Sequence, residues 1–155
     1  MKSSVTRAIT VVAAVVVLAA VNYSIVAKER IKTHGERILL ELAPVDPRSL
    51  MQGDYLALRF VIADHLSADA SGSAALVVDA RGVATLNPAP RAGDLRIRYR
   101  VRGGRVWLGT NAYFFEEGTA ARYNGAHYGE FRVDRESGEA VLVGLRGEFA
   151  AAPAP

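Results

Sequence analysis

The chain has 155 residues, the size of one domain, and half of them are hydrophobic. Its formal charge of +3 belongs to the N-terminus. Up to residue 32, Lys2, Arg7, Lys28, Arg30 and Lys32 stand against Glu29 for a net +4, which leaves 14 basic and 15 acidic residues beyond, or −1. That balance excludes the concentrated cationic footprint of a nucleic-acid-binding domain. The absence of cysteine excludes disulfides, thiolate metal sites and cysteine nucleophiles.

The first element is an apolar helix. Ala8 to Ala27 carries no charge, and about 20 residues at 1.5 Å each match the roughly 30 Å hydrocarbon core of a bilayer. Lys2 and Arg7 precede it, as in the basic start of an export signal. A cleaved signal peptide is the alternative, but the small residues around Ala19-Ala20 and Ala27 make no clean Ala-x-Ala site. The expected organisation is an anchor and stalk over 1–35, a β-domain over 36–149 and a disordered tail over 150–155. The anchor implies a bacterial inner-membrane protein with a cytoplasmic N-terminus and a periplasmic domain.

Beyond Gly35 the period changes from helical to two. Arg37 to Leu42 reads as a first strand, and Ala43 to Gly53, with two prolines, as a structured loop. Asp54 to Ile62 reads as a central strand with Leu56, Leu58, Phe60 and Ile62 on one face. Asp64 to Ser73 is polar and loop-like. Ala74 to Asp79 and Val83 to Leu86 flank a hairpin at Arg81-Gly82. Leu95 to Arg102 alternates most cleanly, with Leu95, Ile97, Tyr99 and Val101 facing one way and Arg96, Arg98, Arg100 and Arg102 the other. Gly103-Gly104 suits a two-residue primed turn into Arg105 to Leu108. Ala112 to Phe115 is a further strand and Glu117 to Asn124 a short helix. Gly129 to Asp134 and Ala140 to Gly147 form a last hairpin. The fold class is mostly β (α+β): a small antiparallel sandwich or barrel-like domain with one short helix, behind a transmembrane helix.

The stretch from Pro44 to Phe60 (PVDPRSLMQGDYLALRF) resembles the bacterial family named for its GDYXXLXY motif. Gly53, Asp54, Tyr55 and Leu58 fill the named positions, and Phe60 replaces the final Tyr. Asn111 to Gly118, Tyr123, Tyr128-Gly129-Glu130 and Val143 to Arg146 extend the likeness. The resemblance implies a single-pass envelope protein, met beside multi-pass membrane proteins, and implies no activity.

The motif residues Asp46, Pro47, Arg48, Gly53, Asp54, Tyr55 and Leu58 are first of all a corner. Pro47 makes Asp46 extended and lets it cap backbone N–H groups, Gly53 takes positive φ, and Asp54 pairs with Arg48. A partner or ligand site on the same residues is the alternative. The arginine stripe reads as a solvated face paired to carboxylates on neighbouring strands; its alternative is a grip on phosphate head groups or an acidic partner.

Enzyme constellations fail. His34, His65 and His127 lie in unrelated contexts without ligand spacing, so no metal or cofactor is expected. A Ser–Lys hydrolase ranks last: aligning Gly53-Asp54 with the Gly-Asp of signal-peptidase loops puts Val45 in the nucleophile's place, and no lysine follows Lys32. The expected function is binding without catalysis, through the β-domain, to a multi-pass membrane protein. The main rival is a sensor of anionic small molecules or lipid head groups.

Overall fold

The computed structural model describes residues 2–43, 55–116, 123 and 125–147. Helix α1 runs over Lys2–His34. Its stretch Thr6–His34 is long and apolar enough to cross a membrane, and none of the apolar window is buried against the rest of the chain. Inside it, Thr10 donates to the Thr6 carbonyl and Asn22 to the Leu18 carbonyl, at 3.0 and 2.9 Å. These back-bonds give the Thr10 and Asn22 side chains acceptors within the helix itself.

The strands are β1 (Glu36–Glu41), β2 (Tyr55–Ala57), β3 (Gly72–Val78), β4 (Ala84–Leu86), β5 (Arg96–Arg102), β6 (Arg105–Trp107), β7 (Ala112–Phe114), β8 (Tyr128–Val133) and β9 (Ala140–Arg146). Among the described residues they form three antiparallel sheets, in the orders β1-β8-β9, β2-β7 and β4-β3-β5-β6. The sheets are stitched where single backbone groups cross: Ala43 N–H, after β1, donates to the Arg59 carbonyl, after β2, at 2.8 Å, Leu39 N–H to Gly82 at 2.8 Å, and Arg98 N–H to Gly138 at 2.6 Å. One core fills the interior. Ile38 and Leu40 from β1, Ile97 from β5, Leu108 after β6, and Phe131 and Val133 from β8 are all fully buried.

The mostly-β expectation holds, with a correction at the second strand. Leu56, Leu58, Phe60 and Ile62 are all buried on one side, as their alternation requires. The backbone, however, does not stay in one ladder. β2 ends at Ala57, and a 3-10 turn covers Val61–His65. Nor is β2 central among the described residues, since it pairs with β7 alone. Alternation records which way side chains point; pairing depends on what lies alongside.

The Gly103-Gly104 turn is as read. Its φ values are +55° and +69°, which L-residues with a Cβ avoid, and Arg102 faces Arg105 across it. The hairpins at Arg81-Gly82 and at 135–138 also form. The short helix expected over Glu117–Asn124, the tail from residue 150 and most of the Ala43–Gly53 loop lie outside the described residues.

The helix and the domain meet closely. The Gly35 N–H donates to the Ile31 carbonyl at 2.8 Å, ending α1. A Cβ at Gly35 would lie 3.0 Å from the Val133 nitrogen and 3.1 Å from the Arg132 Cβ, so only glycine fits where the chain doubles back into β1. The last turns of α1 then run beside β8 and β9. Ile31 is 6 % exposed there, and Lys28 forms an ion pair with Glu139. Tyr23, Val26, Ala27 and Arg30 line a crevice shared with Asp134, Glu136 and Ser137 at the β8–β9 turn. That turn therefore reaches back along the helix toward the apolar span.

Candidate functional site

Five of the seven motif residues, Asp46, Pro47, Arg48, Gly53 and Asp54, lie outside the described residues. So do the Asp46 cap, the Gly53 turn and the Asp54–Arg48 pair. Tyr55 opens β2, and its backbone faces Phe114 in β7. Leu58 is a core residue, packed with Leu56 and Phe60.

The segments that carry the family likeness converge. β2, which continues the motif, pairs with β7, which belongs to Asn111–Gly118. Tyr113 of β7 meets Tyr123 edge-on at 5.3 Å between ring centroids, and Phe115 lies 5.5 Å from the same ring. Burial raises the Tyr113 phenol above its ordinary pKa, and its hydrogen bond with Tyr123 adds to this. Phe60 meets Phe131 of β8 at 5.2 Å and 69°. The Phe60 ring also lies over Gly129, where an added Cβ would come within 2.7 Å of its Cε1. Gly129 thus gives the aromatic ring its place.

Beside Gly129 stands a residue to which the sequence reading assigned no role. Glu130 is 6 % exposed. It accepts from Arg37 Nε at 2.7 Å with one carboxylate oxygen and from Arg146 Nε at 2.6 Å with the other. Burial pushes the Glu130 carboxyl up, but the hydrogen bonds and charges of Arg146 and Arg37 outweigh it and hold the group below the ordinary carboxylate value. Glu130 and Arg146 both fall in segments carrying the resemblance; their pairing was not readable because Arg37 and Arg146 are 93 and 16 residues away.

The arginine stripe is arranged otherwise. Arg96 is committed to the backbone and side chain of Ser73, at 3.1 and 3.0 Å. The carboxylate pairing expected for the other three is not made among the described residues. Across the sheet, Arg98 faces Ser73, Arg100 faces Trp107 and Arg102 faces Arg105. Among the described residues none of the three makes an ion pair. The reason is topological: the strands beside β5 contribute no carboxylate opposite these positions. Instead Arg98, Arg100 and Arg102 line a cleft of about 300 Å³ together with Lys28, Trp107, Thr110 and Glu139. Among the described residues the buried indole N–H of Trp107 has no acceptor.

No curated protein and no solved structure matches the chain. A family model does, the GDYXXLXY protein family, over residues 17–145. The match runs from within the apolar helix to Leu145 in β9 and includes the β2–β7 ribbon and both Arg37 and Glu130 of the clamp, stopping one residue short of Arg146, and the chain belongs to the GDYXXLXY protein family.

Proposed function

We propose that this chain is a membrane-anchored accessory domain of the bacterial envelope, periplasmic beyond its helix, whose β-domain binds an integral, multi-pass membrane protein and performs no catalysis itself. The observation that carries this is the packed junction. Buried Ile31 and the Lys28–Glu139 pair fix the domain against the emerging helix. A domain held at one height over a bilayer meets neighbours that share the bilayer, and an unpaired search in solution is not its geometry. The bonds of Thr10 and Asn22 to carbonyls of their own helix support a contact made outside the hydrocarbon.

The β2–β7 ribbon is the surface we assign to the partner. It joins the family's two signature segments. A photo-crosslinking residue replacing Phe114 in the full chain, in native membranes, should trap an integral membrane protein. The same residue at Ala80, on the β3–β4 hairpin, is the control. Equal labelling from both positions, or none from either, would refute the assignment. Fractionation tests the anchor separately: the full-length mass belongs in the membrane, and a soluble product beginning near Asn22 or Lys28 overturns it. A C-terminal alkaline phosphatase fusion should be active.

A further inference from the structure

We propose that the cleft formed by Lys28, Arg98, Arg100, Arg102 and Trp107 binds the phosphate of an anionic phospholipid head group. The proposal rests on the anchor reading for its position and is independent of any protein partner.

Three features converge. The first is an excess of positive charge, one carboxylate, Glu139, standing in the cleft against Lys28 and three arginines. Glu139 is paired with Lys28, and Arg98, Arg100 and Arg102 make no ion pair among the described residues. Arg102 even faces Arg105 directly across the turn, an arrangement that repels. A fold that needed these side chains only for solubility gains nothing by gathering them around one cleft. Guanidinium groups carry forked donors that match phosphate oxygens, and their weak hydration makes the exchange of water for phosphate favourable.

The second feature is height. Lys28 is the first charge after the uncharged run from Ala8 to Ala27. With a hydrocarbon core of about 30 Å inside a bilayer of about 40–45 Å, the head-group layer is roughly 5–8 Å deep on each side. Lys28 enters that layer as soon as the apolar run ends. The β8–β9 turn folds back beside Tyr23–Arg30, and Gly138 accepts the Arg98 N–H, so β5 is tied to the membrane-proximal end of the domain. The cleft thus opens at the level of lipid phosphates.

The third is the cleft's mixed lining. Its volume, about 300 Å³, lies at the low end of the range that small ligands occupy, roughly 300–1,000 Å³. Val141, Leu142 and the Trp107 ring provide apolar wall, while Thr110 and the arginines provide polar groups. Such a lining suits a phosphate joined to glycerol and acyl carbons. Basic pockets beside transmembrane helices are a general means of holding acidic lipids.

Trp107 is the protein's only tryptophan, so its emission reports on the cleft alone. The full chain in dodecylmaltoside micelles is titrated with dioctanoyl phosphatidylglycerol, dioctanoyl phosphatidylcholine or glycerol phosphate. We expect a saturable change with phosphatidylglycerol at a concentration at least ten-fold below any change with phosphatidylcholine. Glycerol phosphate should be silent over that range, because it does not concentrate in the micelle. Replacing Arg98, Arg100 and Arg102 together by Gln should raise the half-saturating concentration at least ten-fold. The triple Lys variant, which keeps the charge, should lose less. Gln at Arg59, Arg81 and Arg91, which removes equal charge elsewhere, should leave the titration unchanged. Equal responses to both lipids, or indifference to the Gln triple in a protein that still melts normally, overturns the site. A response to glycerol phosphate at the same concentration overturns the lipid as its source. Micelles make the titration independent of the anchor and the partner, so its failure is distinct from theirs.

Discussion

Two arginine-bearing surfaces of this domain use charge in opposite ways. At the Glu130 clamp, Arg37 and Arg146 converge on one buried carboxylate, each with its own oxygen. Along β5, Arg98, Arg100 and Arg102 line a cleft whose carboxylate, Glu139, is paired with Lys28, and among the described residues they make no ion pair. The clamp joins β1, β8 and β9 across one sheet, so its charges serve the fold. Arg98, Arg100 and Arg102 make no such ion pair among the described residues. The same residue type is structural in one place and available in the other. The difference lies in which strands run alongside.

The clearest way to break this comparison is to remove the clamp's centre. Glu130→Ala deletes both charge-assisted bonds and leaves two guanidinium groups without their acceptor. It should cost about 2–3 kcal/mol in urea unfolding of the full chain in micelles. Arg100→Ala should stay within about 0.5 kcal/mol of the parent protein. Similar losses from both would mean that the stripe also supports the fold.

On the opposite face of the same strand, Gly129→Ala provides a steric reference. Its new methyl must displace the Phe60 ring, which packs against Phe131. The expected loss is about 1–3 kcal/mol, the usual scale for overpacking a core. An unchanged midpoint would show that the ring moves freely.

A pH titration sharpens the contrast with a smaller effect. The folded Glu130 carboxyl is held below its ordinary value. The clamp's contribution is therefore fully present above the unfolded carboxylate pKa and is lost as pH falls through the lower folded one. Melting temperature should drop through that acidic window, and Glu130→Gln should show a shallower drop. Asp134 and Asp79 also stay low, Asp134 through the Ser137 side chain and Asp79 through the Val83 N–H, so part of the acid sensitivity will survive the substitution. Identical acid limbs in the two proteins would deny Glu130 this role.

The smallest effect carries the opposite sign. Arg102→Glu replaces a like-charged cross-strand pair with an opposite one against Arg105. It should stabilise the domain by about 0.2–1 kcal/mol while weakening the phosphatidylglycerol response. Reduced stability would mean that Arg102 makes a favourable contact in the free protein.

Legibility in the sequence followed the range of the interactions. The turn at Gly103-Gly104 depends on two adjacent residues and could be read directly. The side chains from Leu56 to Ile62 could be assigned to one face, because alternation is a property of neighbouring positions. The break at Ala57 could not, since it depends on β7 lying beside only three residues. The Glu130 clamp was hidden for the same reason on a larger scale: a lone acidic residue in a strand looks exposed until two distant arginines are brought to it.

By itself, the sequence determined an uncharged span of bilayer length, a change of period at Gly35, a mostly-β domain beyond it and one strand with arginines on a single face. Covalent order is enough for these, because each is a repeat or a run within a few residues. Only the tertiary structure decided which charges meet. Antiparallel pairing brought Arg37 and Arg146 to Glu130, and it placed serine, tryptophan and arginine opposite the β5 stripe. Folding the β8–β9 turn back along the helix then set Arg98, Arg100 and Arg102 in one cleft with Lys28. A charge is satisfied only by a group within a few ångströms, and that proximity is created by sheet register and by the return of the chain at Gly35.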